Sequence, residues 1–199
     1  MAIGDAVSKA TTYGEVEDKV VLATGVIGHA LFNPSWFLKE ISLSVQKIAG
    51  LLNNAQDPFY SVTNTSLAIT GTTNPYSVDL SSLSPYIDRM IRFVHITAAG
   101  VRTNVPFTSS QDAENQQAFS NVLATNIWGA WEGDAIRLYK GSSFTITTGT
   151  DTTELKYYRQ PKVASVTRAS YLDTKDVFVQ AVIDDVIQKV ERQKPNANI

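Results

Sequence analysis

Apolar residues recur every three or four positions in two stretches of this chain and alternate in the region between them. In the first stretch Leu38, Ile41, Val45, Ile48 and Leu52 form one stripe at helical spacing. Asn33 suits the N-cap and Pro34 the first helical position, where a missing N–H costs nothing. The pattern predicts an amphipathic helix over Pro34–Leu52, with Asn53 and Asn54 supplying a left-handed end. The second stripe is Val179, Val182, Ile183, Val186 and Val190, widened by Phe178 and Ile187. It predicts a helix over Val177–Val190, capped by Asp173 or Thr174, with Asp176 in its first turn. Lys189, Arg192 and Lys194 suit its C-terminal carbonyls, and Pro195 is expected to end it.

The stretch between reads as strands. Short runs with partial alternation (Val62, Leu67, Ile69, Tyr76, Val78, Leu80) are punctuated by Gly71, Asn74, Pro75 and Pro85. Ile87–Thr97 alternates with apolar residues in both phases, which predicts a strand buried on much of both faces. The polar stretch Thr103–Gln117 reads as a long loop, and Ala118–Ala124 as a short helix or strand. Ala135–Tyr139, Ser143–Thr148 and Leu155–Arg159, separated by turns, predict an antiparallel meander. At the start of the chain, Val16–Phe32 is apolar but interrupted by Gly25 and Gly28, so residues 1–32 are read as an N-terminal arm with a helical or extended piece. The expectation is an α+β chain: arm 1–32, then one domain 33–199 with a small antiparallel sheet or sandwich at about Ser61–Arg159, flanked by the two helices.

Composition narrows the function. The chain has 199 residues, 43% of them hydrophobic but only 18% charged, with a formal net charge of -2 and no cysteine. That length can bury a substantial core. The absence of cysteine excludes disulfides and thiolate metal sites. The near-neutral balance argues against a general electrostatic grip on nucleic acid. No apolar run reaches membrane-spanning length, and MAIGDAVSKA has no secretory pattern. Few charges with 10% aromatics fit a chain that lives in an assembly, because interface cores lose Lys, Glu and Asp and gain aromatic residues. Thr-rich strands give part of the same composition.

Candidate chemistry is sparse. His29 and His95 both sit among apolar residues and read as structural. There is no HExxH, GxSxG, GxxxxGK[ST] or GxGxxG pattern. Asp184-Asp185 point about 100° apart on a helix and read as a solvated face. Asp151 to Glu154 lacks the ligand ladder of a calcium loop. The expectations are therefore no enzyme activity, no catalytic residue, no metal and no cofactor. Asn64-Thr65-Ser66 matches a glycosylation sequon only by its letters. Trp128, Trp131, Tyr157, Tyr158 and Tyr171 could stack on a sugar; together with Arg159 they read better as candidate subunit-interface residues or core.

The C-terminal half also carries an order of motifs. GDAIRLYKG (133–141) precedes a hairpin, LKYYRQP (155–161) ends a strand, and YLDTKDVFVQAVIDDVIQKVERQ follows as an acid-capped helix. Upstream lie VQKIAGLLNN and PYIDRMIRFVHI. This order, over about residues 35–193, resembles the neck proteins (head-to-tail adaptor and ring proteins) of short-tailed bacteriophages, including crAss-like phages. The resemblance implies a structural subunit of a homo-oligomeric ring, of about twelve copies, stacked below the portal. Its partners would be the portal and other neck and tail proteins, with DNA passing through without specific binding and no membrane contact. Its location would be the virion, after assembly in the host cytoplasm. The alternative is a carbohydrate- or receptor-binding β-module of a phage tail, suggested by the tryptophan pair and the Thr-rich strands.

Overall fold

The computed structural model describes residues 11–83, 87–118 and 124–197. The turn at Pro85 and most of the short element expected at 118–124 lie outside these residues. The fold is α+β, as the hydrophobic pattern predicts: the described residues form four helices and two four-stranded sheets. The chain divides into two compact units, one built from the segments 1–60 and 160–199 and the other from Ser61–Arg159. This differs from the expected split into a 1–32 arm and one 33–199 domain.

The first unit is helical. Helix α1 (Tyr13–Thr24) starts with a capping box: the Thr12 hydroxyl accepts from Glu15 N–H, and the Glu15 carboxylate accepts from Thr12 N–H. Gly25, at φ 70°, takes the left-handed conformation that ends it. The N–H groups of Tyr13 and Gly14, which lack partners inside the helix, donate to the carbonyls of Ser170 and Arg168. Tyr13, Val16 and Val20 are fully buried, so this stretch belongs to a core and is no free arm.

Helix α2 (Pro34–Asn54) begins as predicted, with Asn33 Oδ1 accepting from Trp36 N–H. It runs through Asn53 and Asn54, and the left-handed residue is Gln56 at φ 59°. Asp57 N–H reaches the Leu52 carbonyl and Gln56 N–H that of Asn53, the pairing of a Schellman end. A 3-10 turn at Asp176–Phe178 leads into α4 (Val179–Ala197). Lys175 occupies the cap position but makes no capping bond, its Nζ donating to Asp57 Oδ2 at 2.7 Å, and the Asp173 carboxylate accepts from Lys162 N–H. The helix continues through Pro195, since a proline in the last turn removes one N–H without breaking the preceding ladder. Helices α1, α2 and α4 pack on one another. Phe37, Ile41 and Val45 of α2 and Val182, Val186 and Val190 of α4 are buried.

The second unit is a sandwich. Its strands are β1 (Ser61–Ala68), β2 (Tyr76–Asp79), β3 (Ile87–Ile96), β4 (Arg102–Asn104), β5 (Phe107–Thr108), β6 (Ile127–Glu132), β7 (Ala135–Lys140) and β8 (Thr152–Arg159). One sheet has the order β1-β8-β3-β4 and the other β2-β7-β6-β5. Pairing is antiparallel except between β5 and β6. Phe93, Leu155 and Tyr157 of the first sheet and Val78, Ile127, Ile136 and Leu138 of the second share one buried cluster, so the sheets lie face to face.

Three sequence expectations change here. Strands β7 and β8 belong to different sheets and make no meander with 143–148. Residues 143–148 form no strand, because the Thr147 N–H is taken by the Asp151 carboxylate and the chain turns there. Phe144 and Ile146 still face the core together. Thr103–Gln117 is not a loop: it holds β5 and helix α3 (Ser110–Gln117), capped by Ser109 Oγ accepting from Asp112 N–H. Strand β3 is buried on both faces only at Phe93, Val94 and His95; Asp88, Arg89, Ile91 and Arg92 are exposed, and two register shifts bend the strand.

Candidate functional site

The aromatic residues singled out in the sequence do not form one patch. Trp128 is buried on β6, stacked on Tyr139 with ring centroids 6.2 Å apart, and its Nε1–H donates to the Ala113 carbonyl of α3. Gly129 beside it lies under Phe107, whose ring would sit 3.1 Å from any added Cβ. Trp131 is exposed at the strand end and donates to the Gly133 carbonyl. Tyr157 faces the sandwich core and Tyr158 is buried in the other phase of β8. Arg159 is half-buried at the end of that strand. Tyr171 is exposed in the helical unit, bridged to Thr12 by backbone pairing. Of the six, only Trp131 and Tyr171 present large exposed apolar surface, and they belong to different units.

Both histidines and the most buried carboxylates are engaged structurally. His95 is fully buried, with Nε2 3.0 Å from Asp151 Oδ2. Asp151 also accepts from Ala98 and Thr147 N–H groups. Burial alone would raise the Asp151 carboxyl, but these backbone donors and His95 outweigh it and hold it below the usual carboxylate range. The His29 Nδ1 accepts from Leu31 N–H. In the helical unit Asp185 accepts from Ser44 Oγ at 2.6 Å and Lys47 Nζ at 2.7 Å, and Lys189 lies 3.0 Å away. Burial again works against ionisation, but Lys47, Ser44 and Lys189 keep Asp185 far below its ordinary value. Its neighbour Asp184 points to solvent and accepts from Gln180, so the two carboxylates diverge. Among the described residues no group of three or more His, Cys, Asp or Glu side chains is placed to hold a metal ion. Among them, too, no helix is long and apolar enough to cross a membrane.

The exposed surface is more distinctive. In the helical unit Leu22, Ile27 and Leu31 are 84%, 80% and 42% exposed within ten residues, and Val177, Tyr171 and Leu51 are 76%, 65% and 62% exposed. Leu43 and Leu51 lie on one face of α2, eight residues apart with Lys47 between them. An open groove of 170 Å³ runs beside them between α2 and α4, with Lys47 and Asp185 on its walls. In the β unit a shallow groove of 590 Å³ is lined by uncharged side chains, among them Asn104, Gln116 and Asn126.

No protein-family model matches the chain, and no curated protein matches it. The functional reading therefore rests on the residues and the surfaces they make.

Proposed function

We propose that the chain is a structural subunit of an oligomeric ring in the neck or tail of a tailed phage, joining portal and head to tail around the DNA channel. The observation that carries this reading is the exposed apolar run Leu22, Ile27 and Leu31, supported by Val177, Tyr171 and Leu51 elsewhere on the same unit. Single exposed leucines are ordinary, but three large aliphatic side chains exposed within ten residues are apolar surface that a partner would cover. Burying each such side chain returns about 1.5–3 kcal/mol. A charged fraction of only 18% fits the same role, as does the order of motifs from the Pro34 helix to the C-terminal helix. The activity is mechanical: the subunit binds copies of itself and its neighbours and has no bond to make or break.

A ring follows from any heterologous contact whose rotation closes on itself. Negative-stain electron microscopy of the concentrated full-length chain tests this. Closed rings of uniform diameter are the expected result; monodisperse single subunits under all conditions overturn the reading. The sugar-binding alternative is weakened by Trp128, which is covered by α3 and leaves Trp131 without its partner ring.

A further inference from the structure

The two outer faces of the β sandwich carry opposite charge. Register places Arg92 opposite Lys156 and Arg89 opposite Tyr158 in the phase that points away from the shared core. Arg102 of β4 stands beside them, opposite Ile96. Four cations thus share this face with the carboxylate of Glu154. That carboxylate is mostly buried, and each oxygen is already used, one by Arg92 Nη2 and one by Arg102 Nη2, both at 2.7 Å. Both guanidinium groups remain about half exposed, 50% for Arg92 and 49% for Arg102, with N–H donors still free to face outward. Neither Arg89 nor Lys156 has an acidic partner among the described residues. Asp88 lies in the bulge between Ile87 and Arg89.

The opposite sheet is acidic. Asp79 and Glu132 flank Ala135 in one cross-strand row, and Asp134 follows in the turn. Helix α3 packs on this outer face through Ala113, beside Trp128 and Tyr139, and brings Asp112 and Glu114 with it. All five acids are exposed. Burial first, then the charges of Glu114 and Glu132, raise the Tyr139 hydroxyl. Arg137 is set among the acids and is tied to Glu132 at 2.6 Å.

We propose that copies of this chain join head to tail through these faces, the cationic β1-β8-β3-β4 face of one copy docking on the acidic β2-β7-β6-β5 side of the next. This rests on the ring reading and names its contact. The shared core lies between the sheets, so the complementary faces point in opposite directions. Complementary patches on opposite sides propagate a heterologous interface, which is what a ring requires; a self-complementary patch would stop at a dimer. Opposite potentials also fix register and reject wrong partners. The cationic face is not a phosphate track, because Arg92 and Arg102 are anchored on a carboxylate and the charge of the face is matched by acids on the same unit.

Sedimentation velocity of the full-length chain at about 50 mM and about 500 mM salt tests the contact, since exposed charges are screened beyond about 8 Å at physiological ionic strength. Two double variants reverse one face each: Arg89→Glu with Lys156→Glu, and Glu114→Lys with Asp134→Lys. None of these side chains lies in the buried core, and circular dichroism checks that both variants fold. Each variant alone is expected to associate at least about tenfold more weakly than the wild type, and an equimolar mixture to regain association, because each reversed face then meets an opposite one. Higher salt is expected to weaken the wild-type contact. Wild-type oligomers that both variants form equally well overturn this inference and leave the ring reading standing. A wild-type chain that stays monomeric overturns both. Duplex DNA binding, read by fluorescence anisotropy, that is lost in the Arg89→Glu, Lys156→Glu variant while assembly is unchanged also overturns it and gives the face to phosphate.

Discussion

The helical unit and the β unit differ in the surface they expose. In the helical unit Asp185, Lys189 and Glu40, with the Ser44 hydroxyl and the exposed Lys47, form one network across α2 and α4. Large aliphatic side chains such as Leu22, Ile27 and Val177 are left outside. In the β unit the apolar side chains close a core between two sheets, and the Arg92–Glu154–Arg102 bridge stands on an outer face. The first kind of surface sticks without direction, because burial of apolar area has no preferred geometry. The second kind encodes register, because opposite charges must align. A subunit that has to hold neighbours firmly and in one orientation needs both.

Perturbations of the two units should therefore differ in kind. The largest expected effect is in the sandwich core: Leu155→Ala should remove about 3–4 kcal/mol of stability, because Leu155 is fully buried between the sheets. Urea unfolding followed by tryptophan fluorescence measures it; a loss under about 1 kcal/mol would mean the sheets do not share one core.

Asp151→Ala should cost about 2–3 kcal/mol, since it strands two backbone N–H groups and buried His95. The pH dependence has a definite sign. A carboxyl held below its ordinary value stabilises the fold above the unfolded pKa, about 4, and loses that contribution as pH falls further through the folded value. The wild type should thus weaken below about pH 4, and the alanine variant should show a shallower acid slope in thermal melts.

Asp185→Asn tests the ionic network between α2 and α4. It should cost about 2 kcal/mol by removing the anion that Lys47 and Lys189 share, with the same acid-side signature. An unchanged melting temperature would show that the network is only a surface feature. The smallest effect is a gain. Gln56→Gly relieves a left-handed residue at the α2 end and should add about 0.5 kcal/mol, read by the same melts. A loss would show that the Gln56 side chain does more than accept strain.

How much of this was legible in the sequence follows from how local each cause is. Helices α2 and α4 were readable because stripe and caps lie within one stretch, down to Asn33 over Trp36 N–H. Helix α1 was half-hidden, since Gly25 and Gly28 suggested a broken run, yet Thr12 and Glu15 at capping-box spacing were there to be read. The C-terminal ends failed because the left-handed residue at Gln56 is set by the turn that follows α2, and because a proline in the last turn of α4 leaves the preceding ladder intact. The region 143–148 looked like a strand by alternation, but Asp151 captured its backbone from four residues away. The charged faces were not readable at all. Arg92, Lys156 and Glu154 come together only through the pairing of β3 with β8, more than sixty residues apart in the chain. The aromatic residues chosen as interface candidates were scattered for the same reason: alternation shows that two phases exist, and only the pairing shows which phase is covered.

The most direct test of the account is the mass of the full-length chain in solution, followed by sedimentation from about 1 to 100 μM at low salt. Association that rises with concentration toward one closed oligomer is the predicted result. A single species of monomer mass across the whole range would contradict it.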